Sequence, residues 1–161
     1  MKRMHLHLGV DDMEQSIAFY STLFAAEPTV RKHDYAKWMI EDPRVNFAIT
    51  PTAHTVKGIE HIGIQVESTE ELAEVHERLN AAGRPVLQEE ATTCCYAQSK
   101  KNWITDPDGV VWETFLTTAE HTEYGNKEPV LNGIAQLANL EMMKTAKAEQ
   151  SQSGSCCTPA V

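Results

Sequence analysis

The stretch "MHLHLGVDDMEQSIAFYSTLF", residues 4–24, changes its hydrophobic period halfway along. "MHLHLGV" alternates, as a strand with one buried face does. From the acids onward Met13, Ile17, Tyr20 and Phe24 recur at helical spacing, and either Asp11 or Asp12 can cap that helix. The same order returns at residues 58–83. There "GIEHIGIQVE" reads as a strand, and "STEELAEVHERLNAAG" as a helix with a Ser68/Glu71 capping box and a stop at Gly83. After the first helix come three short strand candidates, "TVRKHD", "YAKWMIE" and "RVNFAIT". After the second come "RPVLQEE", "CCYAQSKKNWITD" and, beyond the turn signal "PDG", "VVWETFLT". Each half therefore reads β-α-β-β-β, and the fold class expected is α+β.

Laying one half on the other puts His5 over His61, because each lies five residues before the Val (Val10, Val66) that precedes the acidic start of the helix. "RVNFAIT" then overlies "VWETFLT", which sets Asn46 over Glu113. The second half is longer: 52 positions separate His61 from Glu113, against 41 from His5 to Asn46. Much of the excess lies around "ATTCCYAQSKK", so an insertion-like loop is expected there, and Cys94 and Cys95 stand in it.

A chain of 161 residues with a net charge of -9 suits one compact domain and argues against nucleic acid or an anionic membrane as partner. "MKRMHLHLGVDDM" lacks the apolar core of a secretory signal, and no stretch is apolar enough to span a bilayer. The expected compartment is the cytoplasm, where thiols stay reduced. All four cysteines occur as adjacent pairs, Cys94–Cys95 and Cys156–Cys157. One reading is incidental or buried thiols. The other is chelation of a soft, thiophilic ion such as trivalent arsenic or cadmium. Neighbouring side chains on a regular strand point to opposite faces, so joint chelation by Cys94 and Cys95 needs a loop or bulge.

The paired modules, a His on each first strand, "VDDMEQSIAFYSTLF" and "TDPDGVVWETF" resemble the vicinal oxygen chelate superfamily of glyoxalase I, extradiol dioxygenases and bleomycin-resistance proteins, over residues 4–117 or so. "TTCCYA" is similar to the branch that holds the nonheme-iron C–As lyase of organoarsenical resistance and the cadmium-induced protein. The resemblance implies two curled modules enclosing a metal in a cleft, with His5, His61 and Glu113 as ligands of Fe(II) and as the catalytic centre. A 2-His-1-carboxylate set leaves positions for dioxygen and substrate, although the same set holds other divalent metals. Asn46, a poor ligand at the fourth position, argues for an open site and against glyoxalase-type isomerisation. His7 shares the face of His5 and is the alternative ligand on that strand. His33, His54, His76 and His121 fall in helix or loop contexts. The function implied is Fe(II)- and O2-dependent cleavage of the carbon–arsenic bond of trivalent organoarsenicals, with Cys94 and Cys95 binding the arsenic. The alternative is a sequestration protein for cadmium or other soft metals.

Lys100 and Lys101 could lower the thiol pKa or could be surface residues of a loop. Tyr96 could line the cleft or simply pack. The expected layout is a domain over 1–118, with modules 1–52 and 57–118, and a linker over 119–129. An amphipathic helix follows over 130–149, and the flexible tail 150–161 carries Cys156 and Cys157, to be read either as auxiliary thiols that capture a soft ion or as an inert end. Modules of this superfamily pair within one chain or between subunits, so a homodimer is an open alternative, and the helix could cover either interface.

Overall fold

The structure, a computed structural model, describes residues 1–83, 86–94 and 96–120. The expected helix over 130–149 and the tail with Cys156 and Cys157 lie outside them, as does most of the expected linker. The first half runs β1 (Arg3–Val10), α1 (Met13–Phe24), β2 (Val30–Arg31), β3 (Ala36–Glu41) and β4 (Arg44–Pro51). The second runs β5 (Gly58–Val66), α2 (Thr69–Ala81), β6 (Leu87–Cys94), β7 (Ala97–Thr105) and β8 (Val111–Glu120). The β-α-β-β-β repeat is thus present twice, in an α+β fold.

Local chemistry sets the helix ends. Asp12 is the cap of α1, its carboxylate accepting from the Gln15 N–H at 2.9 Å. Ser68 caps α2 through the Glu71 N–H at 3.2 Å, and the Glu71 carboxylate reaches back to the Glu67 N–H at 2.9 Å, one residue earlier than a standard capping box. Gly83, at φ 72°, takes the left-handed turn that ends α2.

All eight strands form one sheet in the order β2-β3-β4-β1-β5-β8-β7-β6. The modules join edge to edge through antiparallel β1 and β5, where Leu6 pairs with Ile62, His7 with His61 and His5 with Gly63. Exchanging each residue for its counterpart in the other half swaps His5 with His61 and His7 with Gly63. It leaves the Leu6–Ile62 pair in place, so a local two-fold passes between those two residues.

The sheet has two faces of different character. Leu6, Leu8, Val10, Phe47, Ile49, Trp38 and Ile40 pack against Ile17, Tyr20 and Phe24 of α1. Burying this set is the main stabilising term of the first half, at about 1.5–3 kcal/mol per large apolar side chain. The other face carries the polar residues. Its two far edges meet: Tyr96, at the β6–β7 tip, donates its hydroxyl to Asp34 between β2 and β3 at 2.6 Å. The sheet is therefore curled around that face.

Two expectations are corrected here. The excess length of the second half is not a loop. β6 runs to Cys94 and β7 starts at Ala97 with Cys94 in register with Ala97, so the residues extend a hairpin, with irregular pairing between Glu89 and Thr92. And the counterpart of Glu113 is not Asn46. Leu6 pairs with Phe47 as Ile62 pairs with Trp112. The matched ladders make Phe47 equivalent to Trp112, hence Ala48 equivalent to Glu113 and Asn46 to Val111.

Candidate metal centre

β1, β5 and β8 bring three donors to one point on the curled face. Nε2 of His5 lies 3.1 Å from Nε2 of His61. Oε2 of Glu113 lies 3.3 Å from the His61 nitrogen and 3.6 Å from that of His5. Donors roughly 2.1 Å from a shared divalent ion, at right angles to one another, would be about 3.0 Å apart. The triangle therefore has the size of one face of a metal coordination shell. Its chemistry fits as well, since two imidazole nitrogens aimed at each other repel unless a proton or a cation lies between them.

The outer nitrogens are held by the protein. Nδ1–H of His5 donates to the Asn46 carbonyl at 3.0 Å, which leaves Nε2 as the lone-pair nitrogen. Nδ1 of His61 faces the Glu60 carboxylate at 3.6 Å. Glu60 gets there through an irregularity: His7 pairs with His61 but Leu8 pairs with Ile59, so Glu60 is an extra residue on β5.

His7 also lies close enough to form a group with His5 and His61, all three offering donor atoms within 4.8 Å of one another. Its nitrogens are engaged elsewhere, however. Nε2 meets the Thr50 hydroxyl at 3.1 Å and Nδ1 meets Glu60 at 3.2 Å. Both the three-histidine group and the His5–His61–Glu113 triangle are present. The triangle is the tighter, and only its two histidines have an outer nitrogen held and an inner one aimed at the common centre.

Glu113 is 2% exposed and yet charged, which needs a cation. Lys101, on the neighbouring strand β7, supplies it: Nζ lies 2.5 Å from Oε1 of Glu113, leaving Oε2 turned to the histidines. Lys101 is thus neither a loop residue nor a surface one. Burial alone would raise the Glu113 pKa, but the Lys101 charge and the hydrogen bond from His61 outweigh it and hold the carboxyl well below its ordinary value. Burial, reinforced by the nearby His61, lowers His5 to about 4. Burial also acts to lower His61, but its hydrogen bonds to Glu113 and Glu60 prevail and raise it to about 8. At neutral pH His5 is a free base and His61 carries the proton that a metal would displace.

Aromatic rings wall the site. Phe115 stands edge-on to His5 at 5.1 Å between centroids, and Trp103 edge-on to His61 at 5.3 Å. Trp103 is itself fixed by its indole N–H, which donates to Glu89 at 2.9 Å. A dry wall of this kind strengthens the electrostatics of whatever is bound. Gly63 makes room on β5: a Cβ there would come within 2.2 Å of the Glu113 carbonyl oxygen.

Cys94 stands at the hairpin tip. Cys94 ends β6, and Cys95 lies outside the described residues. Tyr96 after them has a left-handed backbone, φ 64°, so the chain turns here instead of continuing the alternation. The tip is tied back to the centre by a run of rings. Tyr96 meets Tyr35 at 5.9 Å, Tyr35 meets His7 at 6.2 Å, and His7 meets His61 at 5.1 Å. Of the two readings open for Tyr96, neither covers this: it bridges the halves. His33 and His54 are exposed, and His76 is on α2, bonded to Asn80 at 2.9 Å.

The sequence reading gave Lys101 a different role and missed Trp103, Phe115 and Glu60. Period-two spacing on β7 and β8 places Lys101 with Trp103, and Glu113 with Phe115, so three of them were open to discovery. Glu60 was not, because alternation would turn it away from His61.

No helix among the described residues is long and apolar enough to cross a membrane. A family model described as the Glyoxalase/Bleomycin resistance protein/Dioxygenase superfamily matches residues 2–114. The chain is 42% identical over 162 residues to a trivalent organoarsenical cleaving enzyme of Bacillus sp. (strain MD1), covering 99% of this chain and 92% of the relative. It is 38% identical over 126 residues to the cadmium-induced protein CadI of Mycobacterium tuberculosis (strain ATCC 25618 / H37Rv), covering 78% of this chain and 83% of that one. Among solved structures, the Mn(II)-bound glyoxalase from Novosphingobium aromaticivorans matches with a TM-score of 0.52 at 19% identity, over 76% of this chain and 42% of the other, a likeness of fold.

Proposed function

Since the chain belongs to the glyoxalase/bleomycin resistance protein/dioxygenase superfamily, we propose that it is an Fe(II)- and O2-dependent enzyme that cleaves the carbon–arsenic bond of trivalent organoarsenicals such as methylarsenite. The observation that carries this reading is the convergence of His5 Nε2, His61 Nε2 and Glu113 Oε2 within 3.1–3.6 Å in a site with no fourth protein donor at the symmetry-related Ala48. The relative named for organoarsenical cleavage supports the choice of substrate.

His5, His61 and Glu113 are the residues that would hold the metal. When bound, a divalent iron in such a set supplies open positions where dioxygen can be activated. Everything else falls to the chain. The thiols of Cys94 and Cys95 exchange with the two hydroxyls of methylarsenite and release water, and the arsenic is held as a dithiolate. The Asn46 carbonyl and Glu60 keep the inner imidazole nitrogens aimed at one centre. Lys101 keeps Glu113 ionised. Trp103 and Phe115 exclude water. The overall reaction balances as methylarsenite plus dioxygen giving arsenite plus formaldehyde: the methyl carbon is oxidised and dioxygen reduced.

The relative named as cadmium-induced favours a second reading, in which the thiols and histidines sequester cadmium or another soft metal without turnover. One experiment separates them. The protein is purified without oxygen, loaded with Fe(II), given methylarsenite and then exposed to oxygen. Arsenite release that needs both iron and oxygen is expected. Tight cadmium binding with no arsenite formed would favour sequestration.

A further inference from the structure

Tyr96 closes a path between the ends of the sheet that no backbone pairing explains. Its hydroxyl donates to Oδ1 of Asp34 at 2.6 Å, across 62 positions of sequence and from one half to the other. Asp34 is buried at 8% exposure, so this is a hydrogen bond to a shielded carboxylate, the stronger kind. The ring rests on Tyr35, which is 4% exposed and is itself in ring contact with His7 beside the metal centre. Lys32 places its ammonium over the same ring, 5.4 Å from the centroid. Three residues of the β2–β3 segment thus grip one side chain. Tyr96 also adopts a left-handed backbone, which a residue with a Cβ disfavours. A glycine would suit this turn better, and it could not make any of these contacts.

We propose that Tyr96 is a positioning residue, a clasp that docks the thiol-bearing hairpin over the metal centre, with Asp34 as its anchor. Tyr96 follows Cys95 in the chain, and Cys94 is in register with Ala97, so a docked ring anchors the backbone of the hairpin tip that carries the thiols. The thiols grasp arsenic by their own chemistry whether or not the hairpin is docked. The clasp decides whether the arsenic they hold faces the triad. It therefore acts on turnover rather than on capture. This inference rests on the proposed role of Cys94 and Cys95.

The test uses the full chain with Cys156→Ser and Cys157→Ser, so that only the hairpin thiols react. Tyr96→Phe keeps the ring and removes the hydroxyl. Its kcat for methylarsenite should fall about tenfold, the order expected from losing one hydrogen bond to a charged group. KM and bound iron should stay within about twofold of the parent, and maleimide alkylation of the hairpin thiols should quicken about fivefold. Asp34→Ala should reproduce this pattern, and Asp34→Asn, which keeps an acceptor for the hydroxyl, should restore most of the parent behaviour. Equal kcat and equal alkylation rates in Tyr96→Phe and the parent would overturn the clasp. No turnover in the parent, with the alkylation difference intact, would instead overturn the assigned reaction and leave the clasp standing.

Discussion

The two halves of the sheet solve the same packing problem at the two-fold in opposite ways. In the first half His7 on β1 faces Ala48 on β4; in the second Gly63 on β5 faces Glu113 on β8. Each pair has one large and one small member, and the large one has changed strand. The backbone of β8 comes so close to Gly63 that no side chain fits there, and Glu113 takes the space. Across the two-fold Ala48 leaves its space to His7, which is tied to Thr50 and Glu60 instead of the centre. A nearly symmetric scaffold thus yields an asymmetric donor set: a histidine from each half, one carboxylate, and an open side where a second carboxylate would otherwise stand. Symmetry builds the scaffold, and its local failure puts Ala48, which offers no donor, at the position equivalent to Glu113.

The largest expected effects come from removing one donor. His5→Ala, His61→Ala and Glu113→Ala should each lower metal affinity by more than the roughly 10- to 100-fold that losing an outer partner costs, and should abolish turnover. His7→Ala should keep its metal. Metal analysis of the purified variants checks this, and full iron in His5→Ala with loss in His7→Ala would move the site along the same face of β1, from His5 to His7.

Lys101→Met sharpens the comparison from the second half, where the carboxylate is. Leaving Glu113 buried without its cation should destabilise the metal-free protein by about 3–5 kcal/mol. A divalent metal replaces the missing charge, so the melting temperature of the loaded variant should approach that of the loaded parent. A deficit that metal does not repair would mean that Lys101 acts through packing.

Gly63→Ala attacks the close approach itself. The added Cβ must push β8 away, with an expected loss of about 1–3 kcal/mol in urea unfolding and weaker metal binding, because Glu113 moves with its strand. The reverse experiment gives the Ala48 position a donor. His7→Gly with Ala48→Glu recreates in the first half the pair found in the second, and should bind metal more tightly while losing oxygen-dependent turnover. Asn46→Glu should do neither. If Asn46→Glu were the variant that tightened binding, the ladder equivalence drawn above would be wrong.

The smallest effect belongs to the turn that leads into β8. The Asp106 carboxylate accepts from the Asp108 and Val110 N–H groups at 3.0 and 2.9 Å, and these bonds hold its pKa below the ordinary value. A lowered folded-state pKa contributes stability above the unfolded carboxylate range, and that contribution is lost as pH falls through the folded value. Asp106→Asn should therefore flatten the acid limb of the stability profile slightly, as followed by circular dichroism, and leave neutral-pH metal content unchanged.

What the sequence made legible follows from which physics is local. Caps, helical spacing and strand alternation act over a few residues, so a cap at Asp11 or Asp12, the cap at Ser68 and the two β-α-β-β-β units could be read directly. His5 and His61 could be matched because each sits at a fixed distance from the start of its helix. The fourth position could not. "RVNFAIT" and "VWETFLT" look alike at Asn46 and Glu113, but strand register depends on partners far away in sequence, and a two-residue slip keeps every side chain on the same face. The hairpin is not legible for a related reason: pairing of β6 with β7 is a property of both strands together. Glu60 needed a bulge, and Tyr96 needed the curl that brings the sheet edges together.

The central claim is a division of labour, with nitrogen and oxygen donors for the metal and thiolates for the arsenic. X-ray absorption of one sample at both edges tests it most directly: Fe(II)-loaded protein with methylarsenite bound, kept free of oxygen, with Cys156 and Cys157 replaced by Ser. The account predicts an iron shell of imidazole nitrogen and oxygen at roughly 2.0–2.2 Å without sulfur, and an arsenic shell of sulfur from Cys94 and Cys95 plus the methyl carbon. Sulfur in the iron shell, or arsenic surrounded by oxygen alone, would contradict it.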